Sequence, residues 1–345
     1  MAFLYCCSGD HFDTATRLQK WQASSGLVVP VGKHGRGLSG SWSKSLATVR
    51  SRRCTMGMWF RDSAAMGPSY LPTTSSASGI QTHGDGSIAY QILDNALTSY
   101  FSPVDVWRPN TWHFLELDVY LDTTLDGSAG GFVKVYIDDP LHLSPIIDLE
   151  DIYTANATFA TGDYLWQGCV FTSGTVFDDA YCLDGATTDV YGNTGAPVGP
   201  LGPISIGIRR PMDEGFKAEW DPDPAVPNWQ NTDDDSPDGT TTNGASGSGS
   251  PSGIGLEDLH EMEDIDTDDT AIAMHLLVSA RKDGEGTGQL TMLARHDGVT
   301  YDLETRNLAE EYLYRTRVAL HTMPNGDPLT DANFNAMQFG YRREA

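Results

Sequence analysis

The period of its apolar residues is what most limits how this 345-residue chain can fold. Short runs that alternate apolar with polar side chains recur along it, bounded by Gly, Pro, Asn and Asp, and the 3.6-residue period of an amphipathic helix is almost absent. The clearest runs are residues 54–60 (CTMGMWF), 87–93 (SIAYQIL), 113–121 (HFLELDVYL) and 132–137 (FVKVYI). Others follow at 168–172, 204–208, 271–280, 289–295 and 313–321. Successive side chains of a strand point to opposite faces. In HFLELDVYL this puts Phe114, Glu116, Asp118 and Tyr120 on one face and Leu115, Leu117, Val119 and Leu121 on the other, so the first face is expected in water and the second in a core. Many short strands joined by turns such as His83-Gly84-Asp85-Gly86 predict an all-β fold, an antiparallel two-sheet sandwich rather than any βαβ arrangement.

A chain of this length is expected to organise two cores rather than one. Composition suggests where it divides. Residues 1–211 read as a large sandwich, residues 212–256 as an Asp/Gly/Ser-rich loop or linker, and residues 257–345 as a smaller β domain. The middle assignment rests on the tract NTDDDSPDGTTTNGASGSGSPSG, which has no apolar periodicity. One short helix is expected near residues 329–338 (LTDANFNAMQ), with Thr330 or Asp331 placed to accept from the free N–H groups of its first turn.

Charge and cysteines exclude several classes. Asp and Glu number 47 against 22 Lys and Arg, a net charge of −25, so binding of nucleic acid through a general basic surface is not expected. No run of about 18 apolar residues is present, so no membrane-spanning helix is expected. The opening MAFLYCCSGDHFD lacks the basic region and long apolar stretch of a secretion signal, which predicts folding in a cytoplasm. Cys6, Cys7, Cys54, Cys169 and Cys182 are scattered without Cys-x-x-Cys spacing and read as buried thiols rather than a disulfide framework or zinc site.

Several segments in order carry a resemblance. They are Gly9-Asp10-His11-Phe12-Asp13, Lys20-Trp21, Gly35-Arg36-Gly37-Leu38-Ser39-Gly40, CTMGMWFR, VYIDD at 135–139, FDDAYCLDG at 177–185 and ISIGIRRP at 204–211. In this order the N-terminal two-thirds resembles the concanavalin A-like (laminin-G-like) jelly rolls of structural proteins in tailed-bacteriophage virions. The C-terminal part, with SARKDGEGTGQLTMLAR and FNAMQFGYR, is similar to the tails of such proteins. The resemblance implies a concanavalin A-like jelly roll followed by a smaller β-sandwich, in a non-enzymatic virion component: tail, fibre, tail-tip or capsid decoration. Such a chain is made in the host cytoplasm and assembles with other virion subunits and, as a homo-oligomer, with copies of itself.

Two other functions are open to the same residues. One is a carbohydrate-binding or host-receptor-binding module. The other is a laminarinase-like glycoside hydrolase, with Glu116 as nucleophile and Asp118 as helper; retaining hydrolysis needs two neighbouring carboxyls. The third acid such a strand would carry is missing, since Tyr120 and Leu121 stand in its place. Binding residues are sought at Trp220 and Trp229, which flank the polar tract, and at Asp233, Asp234 and Asp235 inside it. Asp178, Asp179 and Asp184 offer carboxylates for a Ca2+ ion, although Asp beside Gly is also a common turn former. The nine histidines show no metal-type spacing and read as ordinary surface or core residues.

Overall fold

The four clearest alternating runs are all strands in the computed structural model, and every paired strand is antiparallel. The structure describes residues 3–7, 22–23, 27–29, 32–34, 37–39, 42–44, 53–62, 79–94, 96–120, 130–152, 169–171, 175–183, 185, 198–232, 242–244, 254–266, 271–282, 287–310, 313–314 and 318–344. Described residues up to 207 form one unit and those from 208 a second. The all-β class read from the apolar period is what the structure has.

The first unit contains β1 (Phe3–Cys7), β2 (Gln22–Ala23), β3 (Leu27–Val29), β4 (Gly37–Ser39), β5 (Trp42–Lys44), β6 (Arg53–Asp62) and β7 (Gly79–Thr82). It continues with β8 (Ile88–Asp94), β9 (Ala96–Phe101), β10 (His113–Tyr120), β11 (Gly131–Ile137), β12 (Ile147–Ile152), β13 (Cys169–Phe171) and β14 (Thr175–Leu183). Its main sheet runs β12-β11-β10-β6-β14-β4-β3, with β1 paired to the far half of β14. The inward residues are those the alternation selects: Cys54, Met56, Met58 and Phe60 of β6, Leu115, Leu117 and Val119 of β10, and Val133 and Val135 of β11. Ile80, Ile88 and Tyr90 of the β7-β8-β9 sheet complete this core, with Trp107 fully buried. Removing this apolar surface from water is the main drive for assembling the unit. The turn at residues 83–87 needs its glycine. Gly86 has φ 76°, and a Cβ on it would meet the Trp107 carbonyl at 2.9 Å. Cys54 and Cys182 are buried thiols, as expected, with their sulfurs 3.5 Å apart and not joined in a disulfide.

The second unit contains β15 (Pro211–Ala218), β16 (Asp221–Asp223), β17 (Thr242–Gly244), β18 (Glu257–Met262), β19 (Met274–Leu276) and β20 (Ser279–Ala280). After these come β21 (Gln289–His296), β22 (Val299–Asn307), β23 (Leu313–Tyr314), β24 (Val318–Leu320), α1 (Asp331–Asn335) and β25 (Gln338–Arg343). Five of the strands form a sheet in the order β15-β18-β25-β21-β22. Met292, Ala294, Leu303, Leu320, Met323, Leu329, Met337 and Phe339 make its core. The Thr330 hydroxyl accepts from the Asn333 amide at 3.2 Å and caps α1, and the helix ends early because β25 claims Gln338.

Three expectations differ from the structure. Residues 204–208 are not a strand; their backbone bonds to side chains of the main sheet instead. The connection expected to start at residue 212 begins with β15, whose ladder to β18 shifts register between Pro211 and Asp213 and again between Glu214 and Ala218. The connection's described residues 219–232 and 242–244 are also fastened, around one buried acid. Asp258 Oδ1 accepts from the amides of Glu219 (2.7 Å) and Trp220 (2.9 Å), and Oδ2 accepts from Asn228 Nδ2 (2.7 Å). Asn243 Nδ2 in turn donates to the Asn228 carbonyl at 2.9 Å and the Tyr341 hydroxyl at 3.1 Å. Side-chain amides thus organise a segment that has no apolar pattern for a core to recognise.

Candidate functional site

The side of the main sheet away from the core carries four register rows. Arg53, Tyr120 and Phe132 form the first, and Thr55, Asp118, Lys134 and Asp148 the second. Gly57, Glu116 and Tyr136 form the third, and Trp59 with Phe114 the fourth. On β14, Tyr181 lies opposite Gly57 and Asp178 opposite Trp59. These two residues are three apart yet share a face because a bulge inserts one residue between them, with Asp179 at φ 47°.

The expectation that the Phe114, Glu116 and Asp118 face is wet is corrected. Glu116 is 1% and Asp118 3% exposed. The covering is the chain itself. Residues 198–207 lie across this face as a strap held by main-chain bonds: the Leu201 and Gly202 amides donate to Glu116 Oε1 at 2.8 and 2.9 Å, Trp59 Nε1 donates to the Ile204 carbonyl at 3.0 Å, and the Ile206 amide donates to Asp179 Oδ1 at 3.1 Å. A buried carboxylate is costly unless its lone pairs are filled. Glu116 meets that condition, because the Tyr181 hydroxyl also donates to Oε1 and His142 Nε2 lies 2.6 Å from Oε2. Burial, and then the Glu116 charge, raises the Tyr181 phenol well above its ordinary pKa, so it stays a donor. Gly57 makes this reach possible, because a Cβ there would fall inside the Tyr181 ring.

Asp118 is filled in another way. Arg53 donates to it through Nε (2.9 Å) and Nη2 (2.6 Å), and the Thr55 hydroxyl adds a third bond at 3.0 Å. The hydrogen bond to Asp118 raises the Arg53 pKa. Protein groups therefore hold both acids that a glycosidase reading would need.

Of the expected Ca2+ ligands, Asp178 and Asp179 are completely buried and face different partners. Asp178 Oδ2 accepts the Lys33 and His34 amides at 3.0 and 3.2 Å, while Asp179 pairs with His34 Nδ1. Burial and then the Asp178 charge push Asp179 up to about 6. Asp184 lies outside the described residues. Trp220 donates Nε1 to the Leu256 carbonyl at 3.0 Å and meets Tyr341 edge-on, so it packs beside the Asp258 cluster. Trp229 is half-buried in the 310 turn Asn228–Asn231 of the same cluster, and Asp233, Asp234 and Asp235 lie outside the described residues. Four histidines, at 34, 113, 142 and 296, prove to be paired with carboxylates.

The strap's bonds fall on β10, β6 and β14, and the face remains partly open at its other end. There Tyr120 and Phe132 are half-buried, with nearly parallel rings (16°) whose centroids are 5.8 Å apart. The Arg53 guanidinium stands 5.7 Å from the Phe132 ring. Lys134 Nζ lies 2.8 Å from Glu150 and 3.4 Å from Asp148, two acids that are 66% and 48% exposed. The hydrogen bond to Glu150 raises the Lys134 pKa and lowers that of Glu150. An aromatic pair beside two half-buried cations and two exposed carboxylates suits a ligand with apolar faces and a hydroxyl rim. The sequence reading missed this shelf. Its signal is parity: Tyr120 shares a face with Glu116, and pairing β10 to β11 sets Phe132 beside it.

No family model and no curated protein matches the chain. Among solved structures, alginate lyase vAL-1 from Chlorella virus is similar at 12% identity over 46% of this chain and 88% of its own, with a TM-score of 0.34. Domain 4 of AbnA, an extracellular arabinanase from Geobacillus stearothermophilus in complex with arabinotriose, is similar at 14% identity over 54% and 94%, with a TM-score of 0.35. The binding domain of botulinum neurotoxin DC is similar at 11% identity over 82% and 66%, with a TM-score of 0.29. Likeness at these scores carries no argument about function.

Proposed function

We infer that the first unit is a non-catalytic carbohydrate-binding module whose ligand rests on the Tyr120–Phe132 shelf. The observation that carries this reading is the half-exposed, nearly parallel aromatic pair with Lys134, Asp148 and Glu150 beside it. A pyranose has apolar C–H faces that lie against aromatic rings, and its equatorial hydroxyls reach carboxylates and ammonium groups at the rim. In this reading Glu116 and Asp118 do no chemistry; they tie the strap and Arg53 in place. The sequence resemblance would set such a module on the outside of a tailed-phage particle, among other virion subunits and copies of itself, and imaging of particles is the check on that placement.

The test is a glycan array probed with the full chain, followed by Phe132→Ala and Tyr120→Ala. Saturable binding to a glycan class, weakened at least about tenfold by either substitution with little change in melting temperature, is expected. Binding to no glycan, or binding that survives both substitutions, overturns the reading. Release of reducing ends from the bound polysaccharide would overturn its non-catalytic part.

A further inference from the structure

In the second unit two turns bring metal-binding side chains together. The β21–β22 hairpin closes through Asp297 (φ 50°) and Gly298 (φ 77°), the left-handed pair a two-residue hairpin turn requires. The second turn spans residues 322–328 and is closed by the Thr322–Pro328 bridge and by Met323 N donating to the Asp327 carbonyl at 2.9 Å. Asn325 braces Asp327 twice, through its Nδ2 on Oδ2 (2.7 Å) and its Oδ1 on the Asp327 amide (3.1 Å). One ligand-type atom from each of His296, Asp297 and Asp327 lies within 4.8 Å of the other two.

Two features separate this group from an ordinary acidic surface. Among the described residues, no lysine or arginine pairs with Asp297 or Asp327, so two carboxylates are held close without a compensating charge. The third member is a histidine only 4% exposed, whose Nε2 points to Asp297 Oδ2 at 3.4 Å and whose Nδ1 has no partner among the described residues. The nitrogen that faces the group is Nε2, and the carboxylates it meets carry no cationic partner among the described residues, Asp327 keeping only its bond from Asn325. A cation between the three would take His296 Nε2 as a ligand and neutralise both acids.

We propose that His296, Asp297 and Asp327 bind a divalent transition-metal ion of the Zn2+ or Co2+ class. The imidazole nitrogen selects such borderline ions over Ca2+ and Mg2+, which prefer all-oxygen shells. Tetrahedral Zn2+ needs its ligand atoms about 3.4 Å apart, given bonds near 2.0–2.1 Å. The two aspartates are exposed and can close that gap by rotamer changes, leaving further positions to water. The site lies in the second unit, so it stands independently of the glycan reading.

The experiment uses the full chain stripped with chelator and titrated with Co2+ by visible absorption, then with Zn2+ by calorimetry. Asp327→Asn and Asp297→Asn are the informative variants, because both positions are exposed and neither belongs to the core. One Co2+ equivalent with visible d–d bands is expected, with affinity weakened at least about tenfold in each single variant and this equivalent lost in the double variant. Millimolar Ca2+ should not compete. Equal binding by the wild type and the double variant, absence of saturable Co2+ binding, or displacement by Ca2+ overturns the proposal.

Discussion

At the scale of single residues, the polar face depends on one missing methyl group. Gly57 lies under the Tyr181 ring, and that ring delivers its hydroxyl to Glu116. Gly57→Ala would drive the ring away and leave a buried carboxylate with one donor fewer. Overpacking and the lost bond together should cost about 1–3 kcal/mol, read as a lower melting temperature, whereas Gly→Ala in a strand free of such contact would be neutral or stabilising. Tyr181→Phe in the Gly57→Ala background separates the two contributions: if the ring clash dominates, the second change adds little. Asp118 depends on its partner in the same way, since Arg53 holds it with two parallel bonds that lysine could not reproduce.

At the scale of elements, the segment between β15 and β18 behaves as part of the second unit rather than as a tether. Asn243 bonds the Asn228 carbonyl and the Tyr341 hydroxyl, and Asn228 bonds Asp258. Asn243→Ala should therefore lower the second unit's stability by about 1–2 kcal/mol in chemical denaturation, and removal of residues 233–253, which takes Asn243 with it, by at least as much. An unchanged midpoint in both would return the segment to the status of a linker. Strands such as β6, β10 and β11 were legible because the burial of one face is written locally as alternation. The strap and the Asp258 cluster were not, because their bonds run from main chain to side chains far away and leave no period. The site was half legible for the same reason. Glu116 and Asp118 are visible as acids two apart on a strand, but His142 lies 26 residues from Glu116, Tyr181 lies 65 from Glu116, and Arg53 lies 65 from Asp118.

At the scale of the whole molecule, two buried groups, one in each unit, respond to acidification with opposite signs. His260 is buried, and desolvation lowers its pKa from 6.5 to about 4. The unfolded chain takes the proton first, so stability present above about pH 6.5 is lost as pH falls towards 4, by up to about 3 kcal/mol. Asp179 is raised to about 6, so its contribution is full below about pH 4 and is lost as pH rises through 6. Between pH 6.5 and 4 the His260 contribution should lower the second unit's calorimetric transition, offset in part by Asp258, whose carboxyl burial pushes up. His260→Leu should remove most of the second unit's acid sensitivity; a variant that retains it would assign the effect to other groups. The edges of the sheets bear on whether copies of the chain could join strand to strand. Among the described residues β15 and β12 are sheet edges: β15 starts at a proline, changes register twice and carries Asp213, Glu214 and Lys217, and β12 carries Asp148, Glu150 and Asp151. Bent and charged edges are poor templates for another chain's backbone. Crowded copies of such a chain would therefore resist conversion into a continuous cross-strand fibre.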